Sequence, residues 1–308
     1  MIRPAQAELH MGTVVEATLA TRLGEPAARD LLRAAFAAFT SLEACCSRFR
    51  ATSDLSRVNR DAHRRAVSVS PLFLGLLEQA LALAAASGGC FSPLLGPLVA
   101  LWEKDRAPSP ARVARARALC APGLVELDPV RGSVRFHRRG VGLNLDGLAK
   151  GQATDRALLA LRAEGVAAAR VNAGGSSLAW FGGAGPAPGV ALRHPAHARS
   201  VVGVLALPRA GALATTGAFP PHGRGAGHVV DPRSGRPHAR RASATVVGAR
   251  ASLAEAAAKV FLLMDHEAAA AQCRRSGWSV KALVLDDERD GLRLVHDRGL
   301  RVAPPEAA

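Results

Sequence analysis

The sequence Leu143-Asn-Leu-Asp-Gly-Leu-Ala-Lys-Gly-Gln-Ala-Thr-Asp155 joins an apolar run to a helical pattern at Asp146-Gly147. The free N–H groups and the dipole at the start of a helix attract anions. Lys150 follows within the first turn and adds a cation that can approach a phosphate or a ribose. The alternative is that Asp146 only caps the helix and Lys150 is solvated.

Three further segments share this character, since each is an apolar run that ends in small residues or glycine. They are Val171-Asn-Ala-Gly-Gly175, Ala214-Thr-Thr-Gly217 and His228-Val-Val-Asp-Pro-Arg-Ser-Gly235. Such ends present backbone N–H groups to a ligand, which suits a polyanion such as a dinucleotide. Each segment by itself is also compatible with a plain turn. Together, the four segments predict a phosphate-handling site.

Composition excludes several classes of protein. The 308 residues suffice for one large domain or two closely packed halves. No window approaches eighteen consecutive apolar residues, so no transmembrane segment is predicted. The net charge is +15, but aromatic residues make up only 4% of the chain, which favours a solvated basic surface over nucleic-acid binding. A nucleic-acid-binding or scaffold protein would leave the glycine motifs unexplained.

The cysteines and the N-terminus indicate where the protein works. The five cysteines show no CxxC spacing, which favours reduced thiols over disulfides or a zinc site. The first ten residues lack the apolar core of a signal peptide, and no lipid-acceptor cysteine follows them. We therefore expect a protein of the bacterial cytoplasm, with export by a route that the sequence does not reveal as the alternative.

The apolar periodicities predict an α+β fold made of helix and sheet layers rather than regular βαβ winding. Helices are expected at about 71–86, 148–165 and 252–264. Strands are expected at 124–127, 134–137, 141–145, 169–172, 201–207, 242–247 and 281–285. The polar segment 47–59 is predicted to be a structured loop.

Helix chemistry alone offers an interpretation of Ser252-Leu-Ala-Glu255 and Lys259. Ser252 and Glu255 match a capping box, in which the serine caps the helix and the glutamate reaches back to it. Glu255 and Lys259, four residues apart, match a favourable ion pair on a helix surface. Any functional role of these residues must therefore be argued from elsewhere.

The order of these motifs resembles that of the ApbE family, the FAD:protein FMN transferases, which attach FMN to a threonine or serine of a target protein. The resemblance runs through Met11-Gly-Thr13, Ser47-Arg-Phe49, Ser53-Asp-Leu-Ser-Arg-Val-Asn59, Gly88-Gly-Cys-Phe-Ser-Pro93, the four segments above and Ala254-Glu-Ala-Ala-Ala-Lys259. It implies one ApbE-like domain over 1–308, with sheet-and-helix halves of about 1–140 and 141–308 packed around a flavin cleft.

The resemblance also implies site residues and ligands. His228 would be the catalytic histidine. The implied FAD contacts are Met11, Phe49, Cys90, Phe91, Ser92, Asn144, Lys150, Thr215, Thr216 and Val229. A magnesium ion at the FAD diphosphate would be held by the carbonyl of Gly147 and by the side chains at positions 255 and 259. The implied partners are FAD and an acceptor flavoprotein, AMP is the implied product, and a homodimer is left open.

Four positions depart from the family pattern. Glu255 and Lys259 replace an aspartate and a threonine that bind the metal, while Ser92 and Ser176 stand where aspartates are usual. An ammonium group has no lone pair for a metal ion. The sequence therefore leaves two functions open: a divergent FMN transferase, and a relative that binds FAD without transferring FMN.

Overall fold

The computed structural model describes residues 1–182, 189–197, 199–218, 229–288 and 291–305. They form two compact units, each assembled from segments that are distant in sequence. Unit 1 comprises the described parts of Met1–Phe39, Lys150–Phe219 and Arg240–Ala308, and unit 2 those of Thr40–Ala149 and Pro220–Ala239. The assignment to a single domain, with its two sub-halves, stays a prediction.

Helices and strands are numbered in chain order. The strands are β1 (Ala5–His10), β2 (Thr13–Ala20), β3 (Val67–Ser68), β4 (Val125–Asp128), β5 (Ser133–Phe136), β6 (Ala168–Ala173), β7 (Ser177–Phe181), β8 (Gly189–Arg193), β9 (Val201–Ala206), β10 (Gly211–Ala218), β11 (Val230–Asp231), β12 (Arg236–Pro237), β13 (Ala242–Gly248), β14 (Lys281–Glu288), β15 (Gly291–His296) and β16 (Val302–Ala303). The helices are α1 (Glu25–Cys46), α2 (Asp54–Asp61), α3 (Pro71–Ala86), α4 (Gly96–Lys104), α5 (Pro110–Ala118), α6 (Ala149–Ala163), α7 (Ala251–Leu263) and α8 (His266–Arg275).

Unit 1 is built on an eight-stranded antiparallel sheet in the order β1-β2-β6-β7-β10-β13-β14-β15. Successive side chains of a strand point to opposite faces, so each strand serves two layers. On one face Trp180 and Leu213 pack with Leu205 of the small sheet β16-β9-β8. On the other face Ala212 packs with Ala251 at the start of α7.

The pairing of β10 with β13 spans a long excursion of the chain. The two strands pair from Ala212↔Gly248 to Ala218↔Ala242. Between them the chain leaves unit 1 and contributes the hairpin of β11 and β12 to unit 2. The two ends of the excursion are therefore held side by side in one sheet.

Unit 2 contains α2 to α5, the small sheet β3-β5-β4 and the hairpin β11-β12. Its first two helices begin at serine caps. The hydroxyl oxygen of Ser53 accepts from the N–H of Ser56 at 3.0 Å, and that of Ser70 accepts from the N–H of Phe73 at 3.2 Å. None of the described helices is long and apolar enough to cross a lipid bilayer.

The α+β prediction is confirmed, and the helices expected near 71–86, 148–165 and 252–264 are present as α3, α6 and α7. Two expectations are wrong. Part of the predicted loop 47–59 belongs to α2, which begins after the cap of Ser53. The predicted strand 141–145 does not form, because the Asn59 side chain pairs with both backbone groups of Leu143 at 2.7 and 3.0 Å.

Candidate functional site

The hairpin turn between β1 and β2 places Met11 in a strained conformation. The strands pair through His10 and Thr13, so Met11 and Gly12 form a two-residue turn with φ of 49° and 72°. Such turns need positive φ at both central residues, which glycine adopts freely. A side chain in this conformation costs about 1–2 kcal/mol. Met11 therefore adopts this conformation at an energetic cost, as is common at functional sites.

The segment Val171-Asn-Ala-Gly-Gly175 is a structural turn between β6 and β7. The N–H of Gly174 donates to the carbonyl of Val14 at 2.9 Å, and the N–H of Gly175 donates to the Asn172 side chain at 3.0 Å. A Cβ atom on Gly174 would lie 2.2 Å from Oγ1 of Thr13, so only glycine fits. Both amides are used within the protein, and this favours the turn over a phosphate-binding loop.

The N-terminal ends of α6 and α7 in unit 1 are in close contact. A Cβ on Gly151 would lie 2.8 Å from the carbonyl oxygen of Ala251. The Asp155 carboxylate accepts from the N–H of Ala251 at 2.6 Å, the N–H of Ser252 at 3.0 Å and the hydroxyl of Ser252 at 2.6 Å. Burial raises the pKa of Asp155, while these hydrogen bonds oppose that rise. The predicted cap at Ser252 is wrong, because Asp155 caps the helix from outside.

Glu255 is a buried carboxylate rather than half of a surface ion pair. Its side chain is only 6% exposed. Oε1 accepts from the N–H of Gly151 at 3.0 Å and from the hydroxyl of Ser177. Oε2 is buried and has no hydrogen-bond partner among the described residues. The predicted capping box and surface pair are both wrong, since Glu255 turns away from Ser252 toward α6 and β7.

Lys259 lies one turn after Glu255 on α7 and is half-buried. Its ammonium group donates to the backbone carbonyl of Glu255 at 2.9 Å. Burial lowers the pKa of Lys259 to about 8; the charge of Glu255 opposes this change, and the charge of Lys150 adds to it. Burial is thus the main cause of the lowered pKa of Lys259, and the charge of Lys150 on α6 is a lesser one.

Thr215 and Thr216, near the end of β10, point to opposite faces of the sheet. Thr215 is hydrogen-bonded through its hydroxyl to that of Thr245 at 2.9 Å. Since Ala212 packs on α7, the same alternation turns Thr216 toward the helical layer. The structure therefore separates the two predicted FAD contacts, and only Thr216 shares a face with α7.

The elbow between α3 and α4 in unit 2 is fixed by Ser87. The N–H of Phe91 donates to the Ser87 hydroxyl oxygen at 3.0 Å. Cys90 and Phe91 are 1% and 5% exposed, and burial raises the pKa of the Cys90 thiol to about 11 against the opposing charge of Arg233. Ser92 is half-buried. At this elbow, Ser92 and the backbone are the groups most accessible to a ligand.

A cavity of about 560 Å³ lies beside this elbow within unit 2. Its lining includes Phe91, Ser92, Arg117 and Arg233. The Arg233 guanidinium is paired with Asp231, whose bond raises the pKa of Arg233. The cavity thus joins an apolar wall to arginine side chains, a combination suited to an amphipathic organic anion.

Asn144 lies in an irregular segment held by unit 2. Its N–H donates to the carbonyl of Pro93 at 2.8 Å, and its side-chain oxygen accepts from the N–H of Asp146 at 2.9 Å. Phe49, also in unit 2, is 84% exposed, and the Arg48 guanidinium lies 4.8 Å from its ring centroid. An aromatic ring so exposed is available for stacking on a planar ligand.

Val229 is half-buried, and its carbonyl accepts from the N–H of His238 at 2.8 Å. His228, the predicted catalytic residue, lies outside the described residues. Of the other predicted residues, Met11, Lys150, Thr215, Thr216, Glu255 and Lys259 belong to unit 1, and Phe49, Cys90, Phe91, Ser92, Asn144, Gly147 and Val229 belong to unit 2.

The sequence model of the ApbE family matches residues 11–284, a range that includes every predicted site residue. This chain belongs to the ApbE family. The FAD:protein FMN transferase of Rhodobacter capsulatus is 33% identical to it over 210 residues, which cover 65% of this chain and 40% of the relative. That of Klebsiella pneumoniae is 31% identical over 200 residues, covering 61% and 60%. The matched stretches thus span less than two thirds of either bacterial relative.

Solved structures support the same fold. The flavin transferase ApbE from Vibrio cholerae superposes with a TM-score of 0.83 at 21% identity, covering 96% of this chain and 97% of that one. The ApbE protein from Thermotoga maritima gives a TM-score of 0.82 at 23% identity, with the same coverage. The predicted ApbE-like α+β fold is confirmed.

The residues that the ApbE resemblance assigns to magnesium do not fit that ion. Magnesium is bound by oxygen ligands in octahedral geometry. Oε1 of Glu255 is engaged by Gly151 and Ser177, so only Oε2 is left for a metal. The Lys259 ammonium has no lone pair and would repel a cation. Among the described residues, no group of three or more histidine, cysteine, aspartate or glutamate side chains is placed to hold a metal.

Sequence analysis missed the roles of Asp155 and Ser177. Asp155 stands at the end of the first motif, four residues after Gly151, and this spacing puts both on neighbouring turns of α6. The spacing was visible in the sequence, but the hydrogen-bond partners of Asp155 lie on α7, almost a hundred residues later. Ser177 gave no signal in the sequence, because its partner Glu255 matched a local capping pattern.

Proposed function

We propose that this chain is an FAD:protein FMN transferase that moves FMN from FAD to a threonine or serine of an acceptor protein and releases AMP. The observation that carries the proposal is the ApbE family match over residues 11–284. Relatives named FAD:protein FMN transferase support the same activity. The exposed ring of Phe49 and the strained Met11 are compatible with contacts to a flavin.

In the proposed reaction the acceptor hydroxyl oxygen attacks the phosphorus of the FMN half of FAD. A new P–O bond forms, the P–O bond to the AMP half breaks, and AMP leaves with the bridging oxygen. His228 takes the hydroxyl proton, because a neutral imidazole is a suitable base near neutral pH. Negative charge on the phosphoryl oxygens requires fixed cations or N–H donors nearby. Lys150, on the first turn of α6, is one candidate.

The direct test is to incubate the purified protein with FAD and a carrier domain bearing an acceptor threonine, and to measure the mass of the carrier. We expect a gain of one FMN and an equal amount of free AMP. A carrier whose acceptor threonine is replaced by alanine should gain nothing. The reaction is run once with EDTA and once with Mg²⁺. Tight FAD binding with no mass gain in either buffer would instead support the relative that binds FAD without transferring FMN.

Replacing Met11 tests whether its strain serves FAD. We expect Met11→Gly to raise the free energy of unfolding by about 1 kcal/mol, because glycine adopts positive φ without strain. The same change should weaken FAD binding, because the side chain is lost. Urea unfolding and FAD titration measure the two effects. Met11→Ala is the matched control: it should lose FAD affinity without the gain in stability. Unchanged FAD affinity in Met11→Gly would rule out the contact.

A further inference from the structure

Lysine is rare in this chain, and two of its lysines lie on contacting helices of unit 1. The only lysines are Lys104, Lys150, Lys259 and Lys281, whereas lysine and arginine together number 40. Lys150 lies on the first turn of α6 and Lys259 on α7, and the N–H of Gly151 joins these helices by donating to the Glu255 side chain at 3.0 Å. An anion bound by both ammonium groups would relieve their repulsion.

The surroundings of Lys259 fix where its ammonium group lies. Its Nζ donates to the carbonyl of Glu255 at 2.9 Å, which ties it to its own helix. The Glu255 carboxylate is directed to Gly151 and Ser177. Since Gly151 follows Lys150 directly, the contact of Glu255 with Gly151 also brings the start of α6 to the middle of α7.

The register of α7 on the sheet carries Lys259 toward Thr216. Ala251 packs on Ala212, and Glu255, one turn later, contacts Ser177, whose strand partner is Ala214. Four residues of a helix advance about 6 Å, close to the advance of two residues in a strand. The next turn therefore brings Lys259 alongside the next residue on that face of β10, which is Thr216. Both Thr216 and Lys150 are proposed FAD contacts.

An ammonium group and a magnesium ion bind a diphosphate in different ways. Magnesium is bound through oxygen ligands, and the side chain at position 259 offers none. An ammonium group supplies one fixed positive charge and three N–H donors, so it binds phosphoryl oxygens directly. Two ammonium groups match the two negative charges of the FAD diphosphate.

We propose that Lys259, together with Lys150, binds the FAD diphosphate in place of a metal ion, so that this chain holds FAD without a divalent cation. The inference rests on the proposed function, which supplies FAD as the substrate. In this proposal, Lys259 provides the positive charge at the FAD diphosphate that the family resemblance assigns to a magnesium ion.

The test is FAD titration of the purified protein in EDTA and in Mg²⁺, for the wild type, Lys259→Gln and Lys281→Gln. We expect the wild-type Kd to be the same in both buffers, within about twofold. Lys259→Gln should raise it roughly tenfold or more in both, because a charged hydrogen bond to phosphate is lost. Lys281→Gln, which removes an exposed lysine of the same unit, should leave it unchanged. Riboflavin, which has no phosphate, should bind both variants as it binds the wild type.

Two more variants keep the test decisive if Lys259→Gln folds poorly. Lys259→Arg keeps the positive charge, so it should bind FAD in EDTA nearly as well as the wild type. Lys259→Thr restores the family residue, so it should bind FAD weakly in EDTA and more tightly in Mg²⁺. Loss of wild-type FAD binding in EDTA, or an unchanged Kd in a folded Lys259→Gln variant, would overturn the proposal.

Transfer of FMN to a carrier separates this inference from the proposed function. Metal-independent FAD binding without FMN transfer would support Lys259 and contradict the transferase. FMN transfer together with FAD binding that requires Mg²⁺ would support the transferase and contradict the role of Lys259. Undetectable FAD binding in both buffers would contradict both.

Discussion

Replacement of His228 by alanine is expected to lower the rate of FMN transfer by about 10²–10⁴-fold, the range that a general base contributes. FAD binding should persist, because the imidazole is proposed to act on the acceptor hydroxyl. The wild-type rate should be lost as the medium is made acidic, because only the neutral ring accepts a proton. The measurement is the initial rate of carrier labelling at saturating FAD across pH 5.5–8.5.

The control for this variant is His137→Ala, which removes a histidine that lies on the surface 3.6 Å from Glu126. Its transfer rate and pH profile should match those of the wild type. If His228→Ala keeps the full rate, or if it loses FAD binding to the same extent as transfer, then His228 is not the base and the proton must go elsewhere.

Replacement of Asp155 by alanine should have the largest effect on stability. It removes a carboxylate that accepts three hydrogen bonds at the start of α7, two from backbone N–H groups and one from the Ser252 hydroxyl. We expect the free energy of unfolding to fall by about 2–4 kcal/mol, since the lost bonds leave helix N–H groups in a partly buried place. Urea unfolding followed by circular dichroism measures it.

Two variants test this explanation of Asp155. Asp155→Asn keeps one acceptor oxygen and the side-chain volume, so its loss should be intermediate. Asp30→Ala removes an exposed carboxylate of α1 and should change stability by less than about 0.5 kcal/mol. A loss of similar size in both alanine variants would show that the hydrogen bonds to α7 are not the cause.

The sequence predicted those helices and strands that caps, prolines and apolar spacing within the segment itself determine. The helix α3 follows from its serine cap, its proline at the first turn and its apolar spacing. The strands β6 and β13 follow from their apolar runs. The helix α2 was missed although its cap at Ser53 is local, whereas the other failures share a cause, a partner distant in sequence. The segment 141–145 is apolar enough for a strand, but Asn59 occupies the hydrogen bonds that a strand would need.

The candidate site likewise contains residues that the sequence motifs indicate and residues whose roles depend on partners distant in sequence. Phe49 and Lys150 belong to motifs that the sequence displays, and the structure leaves Phe49 exposed and Lys150 half-buried. Glu255 could not be understood locally, because its spacing from Ser252 matches a capping box while its real partners come from α6 and β7. Thr215 and Thr216 were assigned to one ligand because their segment was interpreted as the end of an apolar run, whereas within β10 their side chains face different layers.

The long excursion between β10 and β13 has a consequence for how this protein can diverge. Its ends are fixed by strand pairing at Ala218↔Ala242, so the sheet does not depend on the number of residues between them. Doubling the length of such a connection costs only about 0.6 kcal/mol of closure entropy. Insertions and deletions should therefore accumulate between these strands during evolution. The segment that carries His228, the proposed base, would then change with the proposed acceptor protein while the eight-stranded sheet is kept.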